Sequence, residues 1–138
     1  MKKLAVIILV LLVVGILPVV SWAGKLENPL ENALKNAQER VRRNPNDVKA
    51  HFRLGLRYRQ TGKFQKAIAS YKEALRIKPD YARAHHNLGI TNQVLGRNQE
   101  AIASFKEAIR IKPDLARAHY SLGHTYRNLG RNDEAIAE

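Results

Sequence analysis

Apolar residues fall into two regimes along this chain of 138 residues. Behind Lys2 and Lys3, Leu4 to Leu17 is an unbroken apolar run, and no charge appears again until Lys25. From Leu30 onward, apolar positions recur three and four residues apart among lysines, arginines and amides, the period of amphipathic helices. Leu54-Gly55, Leu88-Gly89 and Leu122-Gly123 fall inside apolar stretches, whereas Gly62, Gly96 and Gly130 fall between them, where a helix pair has to turn. The pattern predicts first helices over about 48–61, 82–95 and 116–129, second helices over about 64–77 and 98–111, and another second helix from near 132. Pro79 and Pro113 stop the second helices, and Asp80 and Asp114 are expected to cap the first helices that follow.

The chain also repeats itself at an offset of 34 residues. Residues 67–89 match residues 101–123 with 18 identities in 23 positions. A fixed period of that size marks stacked supersecondary units, none of which can bury its apolar face alone. Glycine within a helix costs about 1 kcal/mol relative to alanine, so its recurrence at Gly55, Gly89 and Gly123 requires a compensating contact. Close helix approach supplies it, with Ala67, Ala101 and Ala135 as the expected small surfaces on the facing helix. Tyr71 and Phe105, with Ala74 and Ala108 one turn later, are expected to pack against the following unit. Ala33, Leu34, Ala37 and Val41, at helical spacing before Asn44-Pro45, predict a lone helix over 30–43 that covers the first unit's apolar edge. The third unit stops at Glu138, about one and a half turns into its second helix. Leu122, Tyr126 and Ala135 are then uncovered, which predicts a truncated product, a trimmed chain or an edge closed by self-association.

At these residues the chain resembles the tetratricopeptide repeat family. Leu54-Gly55, Tyr58, Ala67, Tyr71, Ala74 and Pro79 in one unit, and Leu88-Gly89, Ala101, Phe105, Ala108 and Pro113 in the next, match its pattern of Leu-Gly, aromatic, Ala, aromatic, Ala and Pro. The match covers residues 48–138. His51, His85 and His119 stand where the family often has Trp, and Asn92 replaces the aromatic found as Tyr58 and Tyr126, which predicts looser packing in the second unit. The resemblance implies an all-α fold, a right-handed α-solenoid of antiparallel helix hairpins. Its parts would be a linker and capping helix at 24–47, repeats at 48–81 and 82–115, and a truncated repeat at 116–138. It further implies a non-enzymatic scaffold whose first helices line a concave groove for a protein or peptide. Some members clamp a terminal carboxylate with Lys and Asn side chains on neighbouring first helices. Asn87 and Arg117 resemble part of that clamp, while Phe52 and Leu56 stand where the first unit needs its Lys and Asn.

The first regime reads as an address. Lys2-Lys3, the apolar run and Ser21-Trp22-Ala23 have the pattern of a secretory signal peptide cut after Ala23, with Pro18 ending its helical core. Export to a periplasmic or extracellular location is the expectation. The alternative is an uncleaved anchor, since residues 4–23 carry no charge and about twenty such residues span a bilayer. The repeats lie outside in either case, and a membrane contact is expected only in the second.

Charge narrows the partners. Lys and Arg number 24 against 12 Asp and Glu, a formal +12, and setting aside Lys2 and Lys3 leaves +10 for residues 24–138. Such a field attracts acidic segments, polyanions and anionic lipid. The absence of cysteine excludes disulfides and thiolate metal sites. His51, His85 and His119 recur at the repeat interval, on helices about 8–10 Å apart, too far to converge on one metal ion. His86 and His124 have no acidic or hydroxyl partner in a catalytic pattern. No catalytic residue, metal or cofactor is therefore expected. Lys72-Glu73 and Lys106-Glu107 read as a solvated face, and Leu-Gly-Arg-Asn at 95–98 and 129–132 lacks the strand that a phosphate loop requires.

The groove is the better candidate. Lys49, Arg83 and Arg117 occupy the second residue of each first helix, with Arg59 and Arg127 near the far ends of the first and third. Phe52, Leu56, His86, Ile90, Tyr120 and His124 are expected to form an apolar floor between these rows, beside Asn87. The occupant expected is an acidic or amphipathic protein segment. Nucleic acid is not expected, because no aromatic platform for stacking bases is evident. Two rival readings are electrostatic attachment to an anionic polymer or membrane surface, and the N-terminal part of a larger assembly protein or enzyme.

Overall fold

Turn chemistry sets the helix boundaries in the computed structural model of the chain, which describes residues 28–131. The expected leader over 1–23, Ala135 and the second helix near 132 lie outside the described residues. Six helices follow in order: α1 (Pro29–Arg43), α2 (Val48–Gln60), α3 (Phe64–Ile77), α4 (Ala82–Val94), α5 (Asn98–Ile111) and α6 (Ala116–Asn128). The first helices of the units, α2, α4 and α6, each end one residue before the predicted boundary. Their last carbonyls are taken up by the turn: Lys63 N donates to Tyr58 O at 2.8 Å and Gly62 N to Arg59 O at 3.1 Å. This closure places Gly62 at φ 71°, and Gly96 at 72° repeats it, in the left-handed region that side chains disfavour.

Helix starts depart from expectation. Asp80 and Asp114 do not cap α4 and α6, whose cap positions are Tyr81 and Leu115 and carry no side-chain cap bond. The backbone after each proline fixes the cap position two residues on, so an acid directly after Pro falls one place early. In the first unit the acid is one place later: Asp47 accepts from Lys49 N at 2.8 Å and Ala50 N at 3.1 Å. Asn28 does the same for α1, accepting from Leu30 N at 3.0 Å ahead of Pro29.

The core is distributed along the array. Leu34 and Ala37 of α1 meet Leu54; Ala67, Ile68 and Tyr71 of α3 meet Leu88; Ala101, Ile102 and Phe105 of α5 meet Leu122 and Tyr126. Each cluster joins a helix of one unit to the next, so the units stabilise one another in series. The glycine explanation takes a different form from the one expected. A Cβ on Gly55 would lie 2.5 Å from Tyr71 Cε1, and one on Gly89 would lie 2.5 Å from Phe105 Cε1. The missing side chain therefore makes room for the aromatic ring of the same hairpin, and that ring then reaches the following unit.

Histidine repeats a second device. The Nε2 atoms of His51, His85 and His119 lie 2.7, 2.9 and 2.8 Å from the carbonyl oxygens of Pro45, Pro79 and Pro113. Each ring N–H donates to the proline six residues upstream, tying the first helix to the loop that enters it.

Candidate functional site

Helix contacts decide which face of the array is concave. Beyond sequence neighbours, the only packed helix pairs among the described residues are α2 with α4 and α4 with α6. The backbones of the second helices α3 and α5 do not approach one another in this way, so the first helices form the tight inner layer and the second helices splay outside. A polar ladder strengthens the inner seam: Gln93 Nε2 donates to Thr125 Oγ1 at 3.1 Å, and His86 Nε2 lies 3.3 Å from Ser121 Oγ.

The two layers differ in charge. Helices α2, α4 and α6 contain Lys49, Arg53, Arg57, Arg59, Arg83, Arg117 and Arg127 but no Asp or Glu. Carboxylates sit instead beside the outer basic residues. Glu39 pairs with Arg42 and Arg43 at 2.8 Å, Glu73 with Arg76 at 2.7 Å and Glu107 with Arg110 at 2.6 Å. Among the described residues, Arg59, Arg83 and Arg117 enter no ion pair. Their charge is available to an occupant.

These three arginines line one cavity of about 620 Å³ on the inner face. Phe52, Leu56, Leu115 and Ala116 give it an apolar wall, and His86 and Asn87 add polar atoms. Asn87 Nδ2 donates to Arg83 O at 2.8 Å, which leaves its amide oxygen unused by that bond. The fully buried Tyr71 hydroxyl stands beside Arg59 without the alignment of a hydrogen bond, and Arg59 Nε is likewise unmatched. Burial raises the Tyr71 pKa, and the Arg59 charge opposes that rise. Burial also lowers the pKa of His86; a bond to the Arg117 backbone works against the shift, and the charges of Arg117 and Arg59 reinforce it.

Of the residues expected in the groove, Phe52, Leu56, Arg59, Arg83, His86, Asn87 and Arg117 share this cavity. Tyr120 adjoins it in a smaller hollow with His86, Arg117 and Ser121, and is 72% exposed. The others are placed differently. Lys49 lies in a separate hollow beside Lys78 and Tyr81, because the Tyr81 ring, 5.1 Å from Phe52, fills the space between the first two units. Ile90 points into the core and packs against the cluster around Phe105. His124 is 3.2 Å from Gln93 and stacks on Tyr120 at 6.3 Å, and Arg127 is exposed in the last turn of α6. The floor is thus apolar at Phe52 and Leu56 and hydrogen-bonded between α4 and α6. Leu115, Ala116, Ser121 and Gln93 join the groove without a signal in the repeat pattern. The lack of any acid on the first helices is readable in the sequence.

A curved array of helix hairpins with an open inner face is an all-α solenoid, a scaffold consistent with protein–protein interaction. Comparisons agree with that class. The family model described as TPR repeat matches residues 55–96 and 94–130, and the chain belongs to the tetratricopeptide repeat family. No curated protein sequence is similar to the chain. Among solved structures, the crystal structure of MamA superposes with a TM-score of 0.75 at 28% identity, covering 78% of this chain and 63% of that one. A second MamA crystal structure gives 0.74 at 28% identity, over 78% of this chain and 59% of that one. TTC0263, a thermophilic TPR protein in Thermus thermophilus, gives 0.69 at 29% identity, over 78% of this chain and 61% of that one. The chain therefore spans about three fifths of the length of each. Among the described residues there is no group of three metal-ligating side chains, and no helix is long and apolar enough to cross a membrane.

Proposed function

We propose that this chain is an exported scaffold that holds an acidic or amphipathic protein segment in its concave groove. One observation carries the reading: the inner helices bear basic residues and no acid, while Glu39, Glu73 and Glu107 on the other helices are committed to their own arginines. Unpaired arginines about a partly apolar cavity suit a carboxylate-rich segment, and the surrounding field raises its association rate more than its affinity. Export rests on the pattern of residues 1–23.

Changing Arg83 and Arg117 together to Glu is expected to abolish capture of an acidic peptide while helicity, read by circular dichroism, stays the same. Capture that survives this double change defeats the groove assignment. The net charge of +12 also favours a second reading, attachment to an anionic polymer or membrane. Salt separates the two. Polyanion attachment weakens log-linearly with salt and ignores sequence, whereas groove binding holds one peptide and fails for its scramble.

A further inference from the structure

We propose that the groove selects an extended, left-handed segment that presents an acidic side chain at every third residue. The inference rests on the groove reading above and adds a spacing rule to it. Arg83 and Arg117 occupy the same slot in successive units, 34 residues apart, and both line the same cavity. Their helices α4 and α6 are in direct contact, joined by the His86–Ser121 and Gln93–Thr125 pairs. Packed helices lie about 8–10 Å apart, so the groove presents cationic slots at about that interval.

A polyproline II segment advances about 3.1 Å per residue with three residues per turn, so its equivalent positions recur about every 9.3 Å on one face. That repeat matches the helix spacing. A β-strand returns to the same face after two residues, about 6.7 Å, and falls out of step with the second slot. An α-helix needs seven residues to advance about 10.5 Å, and its width of about 10–12 Å makes one such length bulkier than the 620 Å³ cavity. The two intervening residues of each triplet face the walls, where Phe52, Leu56, Leu115 and Ala116 offer apolar surface of the kind proline or alanine covers. The carboxylate meets Arg83 or Arg117, with Arg59 and the Asn87 amide within the same cavity.

The test uses the full chain and three fluorescent peptides of equal net charge, each with four glutamates, measured by anisotropy at fixed salt. One consists of Glu-Pro-Pro triplets, the second has the same composition with its glutamates gathered in a block, and the third is an alanine-rich helix with Glu at seven-residue spacing. The triplet peptide is expected to bind about tenfold tighter than either of the others. That advantage should vanish in the Arg83→Glu/Arg117→Glu variant. Equal affinity of all three in the unaltered chain, each lost in the variant, overturns the spacing rule and leaves the groove reading intact. A tighter helix overturns the extended geometry. Binding that is unaffected by the double variant overturns both.

Discussion

The ring of Phe105 lies where a side chain on Gly89 would have to go, with 2.5 Å separating the position of that Cβ from Phe105 Cε1. Phe105 is fully buried, so the ring has nowhere to retreat. Gly89→Ala is expected to cost about 1–3 kcal/mol through overpacking, read as a lower urea midpoint. Gly96→Ala is a control of another origin, since nothing lies within 4 Å of its Cβ and its φ of 72° alone costs about 1–2 kcal/mol. Adding Phe105→Leu should partly restore the first variant and leave the second as it was. Strict additivity in both pairs would remove the fit between ring and glycine.

The histidine tether predicts an ordering. His51 is 8% exposed, whereas His85 and His119 are less buried, so the bond from His51 to the Pro45 carbonyl is the best shielded of the three. His51→Phe keeps most of the ring volume and removes the donor, and is expected to cost about 0.5–1.5 kcal/mol. His85→Phe should cost less, and thermal melts of the two variants give the comparison. The reverse order would mean that ring volume, rather than the bond, is what these positions supply.

The cap assignment separates three acids that look alike in sequence. Asp47→Ala removes the acceptor of two backbone N–H groups at the start of α2 and is expected to cost about 0.5–2 kcal/mol. Asp80→Ala and Asp114→Ala, which remove no cap bond, should stay within about 0.5 kcal/mol. Equal losses at Asp47 and Asp80, by chemical denaturation, would contradict the helix starts described above.

Glu39 gives a prediction in pH. Hydrogen bonds from Arg42 and Arg43 hold its carboxyl at about 2, below the ordinary value of 4.5. A folded-state pKa below the unfolded value means that the contribution is fully present above 4.5 and is lost as pH falls through about 2. A carbon-detected NMR titration should place the Glu39 midpoint near 2, and a midpoint at 4.5 would dissolve the pairing at the end of α1.

Sequence makes some of this legible for identifiable reasons. Gly62 and Gly96 can be read as turns because left-handed backbone leaves glycine as the natural choice, whatever surrounds it. Gly55 can be read as a contact position, but its partner depends on which ring the facing helix aims at it, and that partner is Tyr71 rather than Ala67. The constant spacing of Pro45 and His51, Pro79 and His85, and Pro113 and His119 is visible as a pattern. Its hydrogen bond is not, because it depends on how the loop folds back over the helix. Convergence of Arg59 with Arg83 and Arg117 lies beyond the 34-residue period altogether. Arg59 has Gln93 as its counterpart in the next unit, and only the superhelical stacking of α2, α4 and α6 brings these unequal positions to one cavity.

His86 supplies the last prediction, which follows from the proposed occupant. It faces Arg59 from α2, Arg83 and Asn87 on its own helix α4, Arg117 and Ser121 from α6, and the Phe105 ring of α5 at 5.8 Å. Burial and the two flanking cations hold its pKa below the usual 6.5. An acidic occupant brings negative charge to the same cavity and raises that pKa, so binding takes up a proton. Affinity should therefore grow as pH falls through the bound-state pKa and level off below the free-state pKa, within the range of about pH 8 to 5 where carboxylates of the peptide stay ionised. Calorimetry in buffers of different ionisation enthalpy should show this uptake in the unaltered chain and in His124→Asn, and no uptake in His86→Asn. Identical proton uptake in all three proteins would place the titrating group elsewhere and disconnect His86 from the occupant.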